Sequence, residues 1–471
     1  MKKISPLIII LFYAQSALAQ FNPLLYDWTS HPSSALYAPQ TYTHHRFYLG
    51  IPALSHFQIS FQNNGFTAYD LFGANNENFN KKWQNVLYNL KSSHGFLLHI
   101  GEQILDFGWK NDFSATTYHA GLRFDAEAFG FHPVSFYRFA LYGNPGGQGV
   151  LELNDINFNA EAFYTLYFGF SRSNNPSFHY GMNFKIYNSA GNISSAYNNG
   201  KIYSIEGQNN YYTHVFENIR FDMRSSGVSM LVEKDKIGTK KVNKNQVQAD
   251  LISRFLGTSD FGAGMDFGFE KIFNARLSYT FSILDLGFIY YNSDVFRIHS
   301  EGSYRYEGVH VEYPDTPKDY WEEIRTDFKQ SVKTDTTRNG YIHLRPTRIY
   351  TSMKWTFIPD KEHETTACRD ISAPESKPKL PPSLSFVGFY QNLQGHAYLG
   401  TGIVWEWHPT AWLDTRLSYT FDNYIQNNIS VAIQWRIGHW YWFLTAENIM
   451  GLTDLGRSNG QRIQIGTYLA F

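Results

Sequence analysis

The sequence lacks most of the features that mark nucleic-acid-binding proteins, disulfide scaffolds and helical membrane proteins. Its 471 residues include one cysteine, Cys368, so no internal disulfide can form. Lys and Arg total 40 against 41 Asp and Glu, a formal charge of −1, which excludes the basic footprint needed for nucleic acid. After residue 20 no run approaches the roughly 20 apolar residues that a membrane-spanning helix requires.

Motifs of the common enzyme classes are also missing. There is no Gly-x-Ser-x-Gly elbow, phosphate loop, dinucleotide fingerprint or His-Glu-x-x-His helix. Cys368 lies in a polar stretch without the signature of a cysteine nucleophile. His44 and His45 are adjacent, so in a strand their rings face opposite sides and cannot share a metal. The sequence therefore predicts no catalytic residue, no metal and no cofactor.

Aromatic side chains are abundant, at 18% of the chain, with 33 Tyr, 39 Phe and 11 Trp. Transmembrane barrels use such rings as girdles at both membrane interfaces. Mean hydropathy is −0.37, which is low for a membrane protein. A barrel is compatible with that value, because every second residue of a strand faces the interior and is free to be polar.

The N-terminus has the three parts of a secretory signal peptide. Lys2 and Lys3 precede a short apolar core at 7–14, and Ala17-Leu18-Ala19 forms a small-residue cleavage box. We expect a signal peptide over 1–19, cleaved between Ala19 and Gln20, and one mature domain over 20–471. The apolar core is too short for an uncleaved anchor helix, and no cysteine follows the box to carry a lipid.

The C-terminal quarter alternates between apolar and polar residues with a period of two, which indicates β-strands with one apolar face. Each segment has about the ten residues that a tilted membrane-crossing strand needs. The segments are Tyr398–Trp407, Trp412–Phe421, Asn428–Ile437, Trp440–Asn448 and Ile463–Phe471. The terminal aromatic residue, Phe471, is typical of outer-membrane barrels, and we expect it to serve membrane insertion by the barrel-assembly machinery.

The polar faces of these strands carry charges of both signs, which we expect to line the barrel interior. The residues are Glu406, Asp414, Arg416, Arg436, Glu447 and Arg462. Mixed charges at such positions favour structural ion pairs over a selectivity filter. The alternative is a soluble β-sandwich, whose apolar faces would meet in a thin core. The signal peptide, the terminal Phe and the aromatic content favour the membrane.

Connection lengths predict the orientation of the strands. His408–Ala411 and Gly438-His439 are short, whereas Asp422–Asn427 and Ile449–Gly460 are longer. Because outer-membrane barrels have short periplasmic turns and longer outside loops, Phe471 is predicted to lie at the periplasmic end.

Upstream segments alternate in the same way, which predicts an all-β, antiparallel transmembrane barrel of roughly 14 strands. These segments are Ala160–Phe170, Phe261–Phe269, Leu277–Ile283 and Thr347–Phe357.

Two or three short helices and two polar loops interrupt the strands. Helices are predicted at Asn78–Leu90 and Pro317–Ser331, with a weaker one at Val247–Phe255, and they either plug the lumen or cap a loop. Glu233–Lys244 and Pro359–Pro382 have the composition of solvated loops, with docking of a partner as the alternative.

Several runs resemble an uncharacterised family of Bacteroidota outer-membrane barrels, known as a domain of unknown function. The runs are 45–54, Asn64-Gly65-Phe66, 255–264, 277–289, 345–350 and Ala446-Glu447-Asn448. The resemblance spans most of the mature chain and implies an outer-membrane barrel, distantly similar to fatty-acid-channel barrels. It implies no activity and no catalytic residues.

Three functions remain open at this point, all in the bacterial outer membrane with lipid as the surrounding partner. The first is a channel or transporter for small or hydrophobic solutes. The second is a cell-surface scaffold for secretion, adhesion or motility, with a surface or periplasmic protein partner. The third and least favoured is a barrel-wall lipid hydrolase. No N-terminal plug domain of the siderophore-transporter kind is recognisable, and the chain looks too short to hold one.

Overall fold

The computed structural model describes residues 21–41, 45–75, 77–143, 149–206, 212–227, 233–234, 240–241, 254, 260–307, 320–357 and 381–471. The predicted signal peptide, with its cleavage site at Ala19 and Gln20, lies outside the described residues. So do His44, Cys368, all of the weak helix at 247–255 except Arg254, and most of the two polar loops.

Fourteen antiparallel strand positions close into a barrel, which confirms the predicted fold. Strands are numbered here in chain order. Those of the barrel wall are β1 (Phe47–Gly50), β2 (His56–Asn63), β3 (Gly95–Asn111), β4 (Thr116–Phe131), β6 (Phe158–Asn175), β7 (Phe178–Ser195), β12 (Phe261–Asn274), β13 (Leu277–Tyr291), β16 (Tyr341–Leu344), β17 (Arg348–Thr356), β18 (Ser383–Leu393), β19 (His396–Thr410), β20 (Leu413–Asp422), β21 (Asn428–Ile437), β22 (Trp440–Glu447) and β23 (Gly460–Ala470).

Two positions in the wall are each shared by two short strands. β1 and β2 both pair with β23 and β3, and the chain leaves the ladder between them. β16 and β17 both pair with β13, on either side of a break at residues 345–347. The remaining twelve positions hold single strands.

The other strands lie outside the barrel wall. Five of them form an accessory sheet: β5 (Leu151–Glu152), β8 (Asn199–Glu206), β9 (Tyr212–Ser226), β14 (Val295–Tyr306) and β15 (Val332–Thr337). This sheet joins the wall where β9 pairs with residues 192–195 of β7. β10 (Glu233–Lys234) and β11 (Lys240–Lys241) pair with each other.

The barrel is apolar outside and polar inside, as strand β20 shows. Leu417, Tyr419 and Phe421 are 50–52% exposed, whereas the intervening Ser418 and Thr420 are 1% exposed. A sandwich would bury the first set, because its apolar faces meet in the core. Fully burying one such side chain is worth about 1.5–3 kcal/mol, so this outer surface requires an apolar environment.

The two ends of the barrel differ. The turn end carries Phe471 and the short connections at Gly438-His439 and between β19 and β20. The loop end carries Gly460 and the longer connections. β19 extends to Thr410, so the turn predicted at His408–Ala411 is reduced to Ala411-Trp412. Gly438 has φ +62°, a left-handed conformation that favours glycine.

Five short helices lie in the connections: α1 (Ala68–Phe72), α2 (Phe79–Asn89), α3 (Val134–Tyr142), α4 (Tyr320–Ser331) and α5 (Ile449–Leu452). The prediction at 78–90 matches α2, which Asn78 caps through a 2.9 Å bond from the Lys81 amide. α4 packs through Phe328 against Phe216 of β9, whereas its Trp321 is 82% exposed. In the described part of the chain, no helix is long and apolar enough to cross a membrane.

Candidate functional site

The interior of the barrel is filled by residues 21–41, which are termed the plug. All of its side chains are buried except Thr29, Ser30 and Leu36, and those three are partly buried. Pro23, Pro32 and Pro39 keep the segment out of the ladder, because proline has no amide hydrogen to donate. The plug contains one short 3-10 helix, at Pro32–Leu36. The predicted helices do not fill the lumen, and this irregular segment does.

Aromatic stacking fixes the plug to the wall. The ring of Phe21 stacks on Phe389 with centroids 5.2 Å apart, and Tyr26 stacks on Tyr350 at 4.8 Å. The Tyr350 hydroxyl accepts a hydrogen bond from the amide of Asn22 at 3.1 Å. Contacts of this kind bury large rings and add about 0.5–1.5 kcal/mol per pair beyond the area they bury.

Arginine side chains from the C-terminal wall hold the backbone of the plug. Arg416 donates to the carbonyl oxygens of Tyr26 at 2.8 Å and Asp27 at 2.7 Å, and pairs with Glu406 at 2.5 Å. Arg462 donates to the carbonyl of Phe21 and pairs with Glu447 at 2.6 Å. Carbonyl groups that the irregular plug leaves without backbone partners are therefore satisfied by charged donors.

These four residues are among the six predicted to line the interior, and the other two sit elsewhere. Asp414 accepts from Gln434 at 3.1 Å and lies 2.7 Å from His408, near the turn end. Arg436 is partly buried and donates to the hydroxyl of Tyr441 at 3.4 Å. Within the part of the chain that the structure describes, neither forms a hydrogen bond or ion pair with the plug. That any of the six lines a conducting path stays a prediction.

Asp27 is the charged side chain of the plug. Its carboxylate lies 3.3 Å from the Lys354 ammonium of β17. Burial raises the pKa of Asp27 to about 6, although Lys354 opposes the shift. Burial also lowers the pKa of His31, whose ring stacks on Tyr468 at 5.6 Å. Burial therefore favours the neutral forms of both His31 and Asp27.

A second charged network crosses the middle of the barrel, between the plug and the loop end. Lys185 contacts Asp266 at 2.8 Å and Asp285 at 2.7 Å, and Asp285 also accepts from Arg348. Arg345 pairs with Glu161 and, at 3.2 Å, with Glu127. A buried ion network of this kind is stable only when each charge has a partner.

One group of potential metal ligands occurs among the described residues, namely His99, Asp125 and Glu127, with their donor atoms within 4.8 Å of one another. Arg123 Nε already donates to both oxygens of Asp125, at 2.8 and 3.0 Å. The carboxylate of Glu127 is paired with the guanidinium group of Arg345. Because guanidinium groups neutralise both carboxylates, we assign no metal to this group.

A cavity of about 540 Å³ lies at the loop end, beyond the charged network. Its lining includes Ile342, Leu344 and Tyr390, which are 58%, 74% and 37% exposed, together with buried Phe129 and Ser194. The cavity therefore borders both the outer surface and the interior.

Incomplete strand pairing in the wall explains why the cavity borders both the outer surface and the interior. Among the described residues, β16 pairs only with β13, and β18 pairs with β17 only as far as Gln391 opposite Arg348. The ladder is thus interrupted beside the cavity. The β18–β19 turn bends across the mouth, where the His396 ring stacks on Phe131 at 3.7 Å.

Sequence reasoning missed the plug and the break at residues 345–347. The plug has no period of two, and its partners on the wall are hundreds of residues away. The available signals were an apolar, proline-punctuated segment at 21–41 that could neither be a strand nor remain solvated, and Pro346 within the run 345–350.

The fold and site define a plugged, closed antiparallel β-barrel with an apolar outer surface. The chain belongs to a family of unknown function, DUF5723, whose model matches residues 39–447. This membership confirms the resemblance noted from the sequence, and a Bacteroidota origin stays a prediction. No curated protein matches the chain.

Several solved structures are similar to this chain in fold. The Pseudomonas putida toluene transporter TodX is 9% identical with a TM-score of 0.37, covering 96% of this chain and 94% of its own. A Pseudomonas aeruginosa FadL homologue is 9% identical with a TM-score of 0.39, covering 94% and 95%. The translocator domain of the Neisseria meningitidis autotransporter NalP is 8% identical with a TM-score of 0.33, covering 93% and 92%. At these identities and TM-scores the likeness carries no argument about solute or activity.

Proposed function

We propose that this protein is an outer-membrane channel or transporter for small or hydrophobic solutes, and that the plug closes it in the state described. The observation that carries the proposal is the loop-end cavity. It is large enough for a small organic molecule, it borders the apolar outer surface through Ile342, Leu344 and Tyr390, and it lies above the interior that the plug fills. In this orientation Phe471 and the turn end face the periplasm, and the loop end faces the outside.

The plug has the properties of a closure that can be released. It is held by hydrogen bonds, ion pairs and ring stacking, and it takes no place in the strand ladder. Its displacement would leave the wall pairing intact. A wall strand, by contrast, could be displaced only by breaking the hydrogen bonds that close the barrel.

The experiment compares the full-length protein with a variant whose plug is loosened. Arg416→Met combined with Glu406→Gln removes the donors that Arg416 supplies to the plug and leaves no uncompensated charge between the two residues. We expect larger single-channel conductance in planar bilayers, and faster entry of an apolar fluorescent probe into intact Gram-negative cells. Arg436→Met, which leaves the plug contacts in place, is the matched control. A barrel that stays sealed to ions and probe in all three proteins would contradict the proposal.

The second candidate, a cell-surface scaffold, is favoured by the accessory sheet. Within the described residues its strand β15 pairs only with β14, so one edge is open, and α4 packs beside it. Photo-crosslinkers placed in Ile449–Gly460 and in the lysine-rich loop at 233–244 would capture a protein partner in cells. Recovery of the barrel alone would argue against this role. No arrangement of described residues favours the hydrolase.

A further inference from the structure

Two cavities lie one above the other in the upper half of the barrel, and one residue lines both. The outer one is the loop-end cavity of about 540 Å³. The inner one, of about 40 Å³, lies against the plug residues Leu36 and Tyr37 and is lined on the wall side by Thr165. Among the described residues, Arg345 alone is common to the two linings. It therefore lies between the outer cavity and the space above the plug.

The Arg345 side chain is held across the lumen by two carboxylates on neighbouring strands. Glu127 of β4 and Glu161 of β6 are directly paired in the sheet, and each accepts from one terminal nitrogen of the guanidinium group. The guanidinium carbon lies 4.0 Å from the ring centre of Phe163. The hydroxyl of Tyr291 donates to the second oxygen of Glu161 at 3.3 Å. All three members of this clasp (Glu127, Glu161 and Arg345) are at least 92% buried.

The backbone of Arg345 differs from that of the arginines that hold the plug. Arg416 and Arg462 lie within β20 and β23, paired on both sides. Arg345 lies in the break between β16 and β17, followed by Pro346, and its amide donates one bond, to the Gly287 carbonyl at 3.0 Å. Its backbone can therefore shift at the loss of this one bond to β13.

Because of this placement, we propose that Arg345, Glu127 and Glu161 form an inner gate between the loop-end cavity and the plug. The gate rests on the proposed function, since it matters only if solutes enter at the loop end. A solute that reaches the plug from that side must displace the guanidinium group from the two carboxylates. A solute would then be selected twice, first by the apolar loop-end cavity and then by the charged gate. Arg345 is a positioning residue in this scheme, not a catalytic one.

The test measures access to the space below the gate and does not depend on transport. In a Cys368→Ser background, Thr165→Cys places a thiol in the inner cavity, and Ser194→Cys places one in the outer cavity. A charged methanethiosulfonate reagent is added to the loop-end side of the protein in vesicles. With the gate intact, we expect Thr165→Cys to react at least about tenfold more slowly than Ser194→Cys.

Opening the gate should raise the reaction rate only at Thr165→Cys, the thiol below the gate. Replacing both acids, with Glu127→Gln and Glu161→Gln, should speed the reaction at Thr165→Cys about tenfold and leave Ser194→Cys unchanged. Arg345→Met offers a second route if the double variant does not fold. Arg345→Lys, which keeps one charge but not the two-pronged contact, should give an intermediate rate. Heat-modifiable mobility on gels checks that each barrel is folded.

Two outcomes would overturn the gate: equal rates at the two thiols in the intact protein, or no change at Thr165→Cys in any folded gate variant. Both outcomes are independent of solute transport. If the gate variants behave as expected while the plug-loosened protein stays sealed, the gate stands and the transport proposal fails.

Discussion

The C-terminal wall and the upstream wall of this barrel are built differently. From β18 to β23 each strand pairs with its neighbour, the one register shift in the described ladder lies beside the β19–β20 turn, and the connections that the structure describes are short or capped by α5. Upstream, two strand positions are split, at β1/β2 and β16/β17, and bulges interrupt β3 and β12. Arg416 and Arg462 hold the backbone of the plug from the regular wall, and Tyr350 and Lys354 of β17 contact it from the upstream wall. The irregular wall carries the loop-end cavity and Arg345.

Under the proposed function, this difference separates two requirements of a closed channel. Residues that must stay fixed are placed on strands paired on both sides, where movement would break the ladder. Residues that must move are placed at breaks, where a side chain crosses the lumen without holding the wall together. If that division is right, the same kind of substitution should have different effects in the two regions.

The largest expected effect concerns the anchors on the regular wall. Arg462→Met leaves Glu447 buried without its partner and removes a donor from the Phe21 carbonyl. Breaking a buried pair in this way costs about 3–5 kcal/mol in the free energy of unfolding. Arg436→Met, on the same wall but partly exposed and with one long contact, should cost less than about 1 kcal/mol. Urea unfolding in lipid vesicles measures both, and equal losses would refute the anchoring role.

A smaller effect is expected for an arginine placed on the outer surface of each wall. Ile465 is 47% exposed in the middle of β23, where Ile465→Arg should cost about 2–4 kcal/mol in a bilayer. Leu344 is 74% exposed beside the break at the loop end, where Leu344→Arg should cost about 0–1 kcal/mol. Unfolding free energies in vesicles give the comparison. A reversed order would show that the membrane band does not lie where the regular wall places it.

The smallest expected effect concerns pH, because one carboxyl among many plug contacts changes its charge. The folded-state pKa of Asp27 is raised to about 6 from an ordinary value of 3.8. Because the folded state favours the protonated carboxyl, Asp27 stabilises the folded protein fully below about pH 4. This stabilisation is lost as the pH rises through about 6. Hydrogen exchange of amides 24–31, corrected for intrinsic rates, should therefore be faster at pH 7 than at pH 5. Asp27→Asn should abolish the difference, and a difference that persists in that variant would assign it to another group.

How far the sequence predicted the structure follows from the range of the interactions. Strand β21 has the predicted bounds, Asn428–Ile437, because alternation is a local property of ten residues. Buried Glu406–Arg416 and Glu447–Arg462 pairs follow from the same alternation, since paired strands place inward charges opposite one another. Three of the five helices, α1, α3 and α5, were not predicted. They span four to nine residues, which leaves little helical period to detect.

The plug and the gate could not be predicted in the same way. The contacts of the plug join residues such as Asn22 and Tyr350, which are 328 positions apart. Its sequence has no period that would indicate a partner. The sequence pattern singled out Arg345 only as part of the run 345–350, which resembles the family. Its position across the lumen depends on the break before Pro346 and on two carboxylates from β4 and β6.

Photo-crosslinking to lipid tests the central claim most directly, namely that the exposed apolar face of each strand meets acyl chains while the polar face surrounds the plug. The unmodified protein is reconstituted with a lipid that carries a diazirine on its acyl chain, and the adducts are mapped by mass spectrometry. We predict adducts on Leu417, Tyr419, Ile463 and Ile465 and none on Arg416, Ser418 or residues 21–41. Adducts on both faces alike, or a protein that stays dissolved without lipid or detergent and takes up no label, would contradict the account.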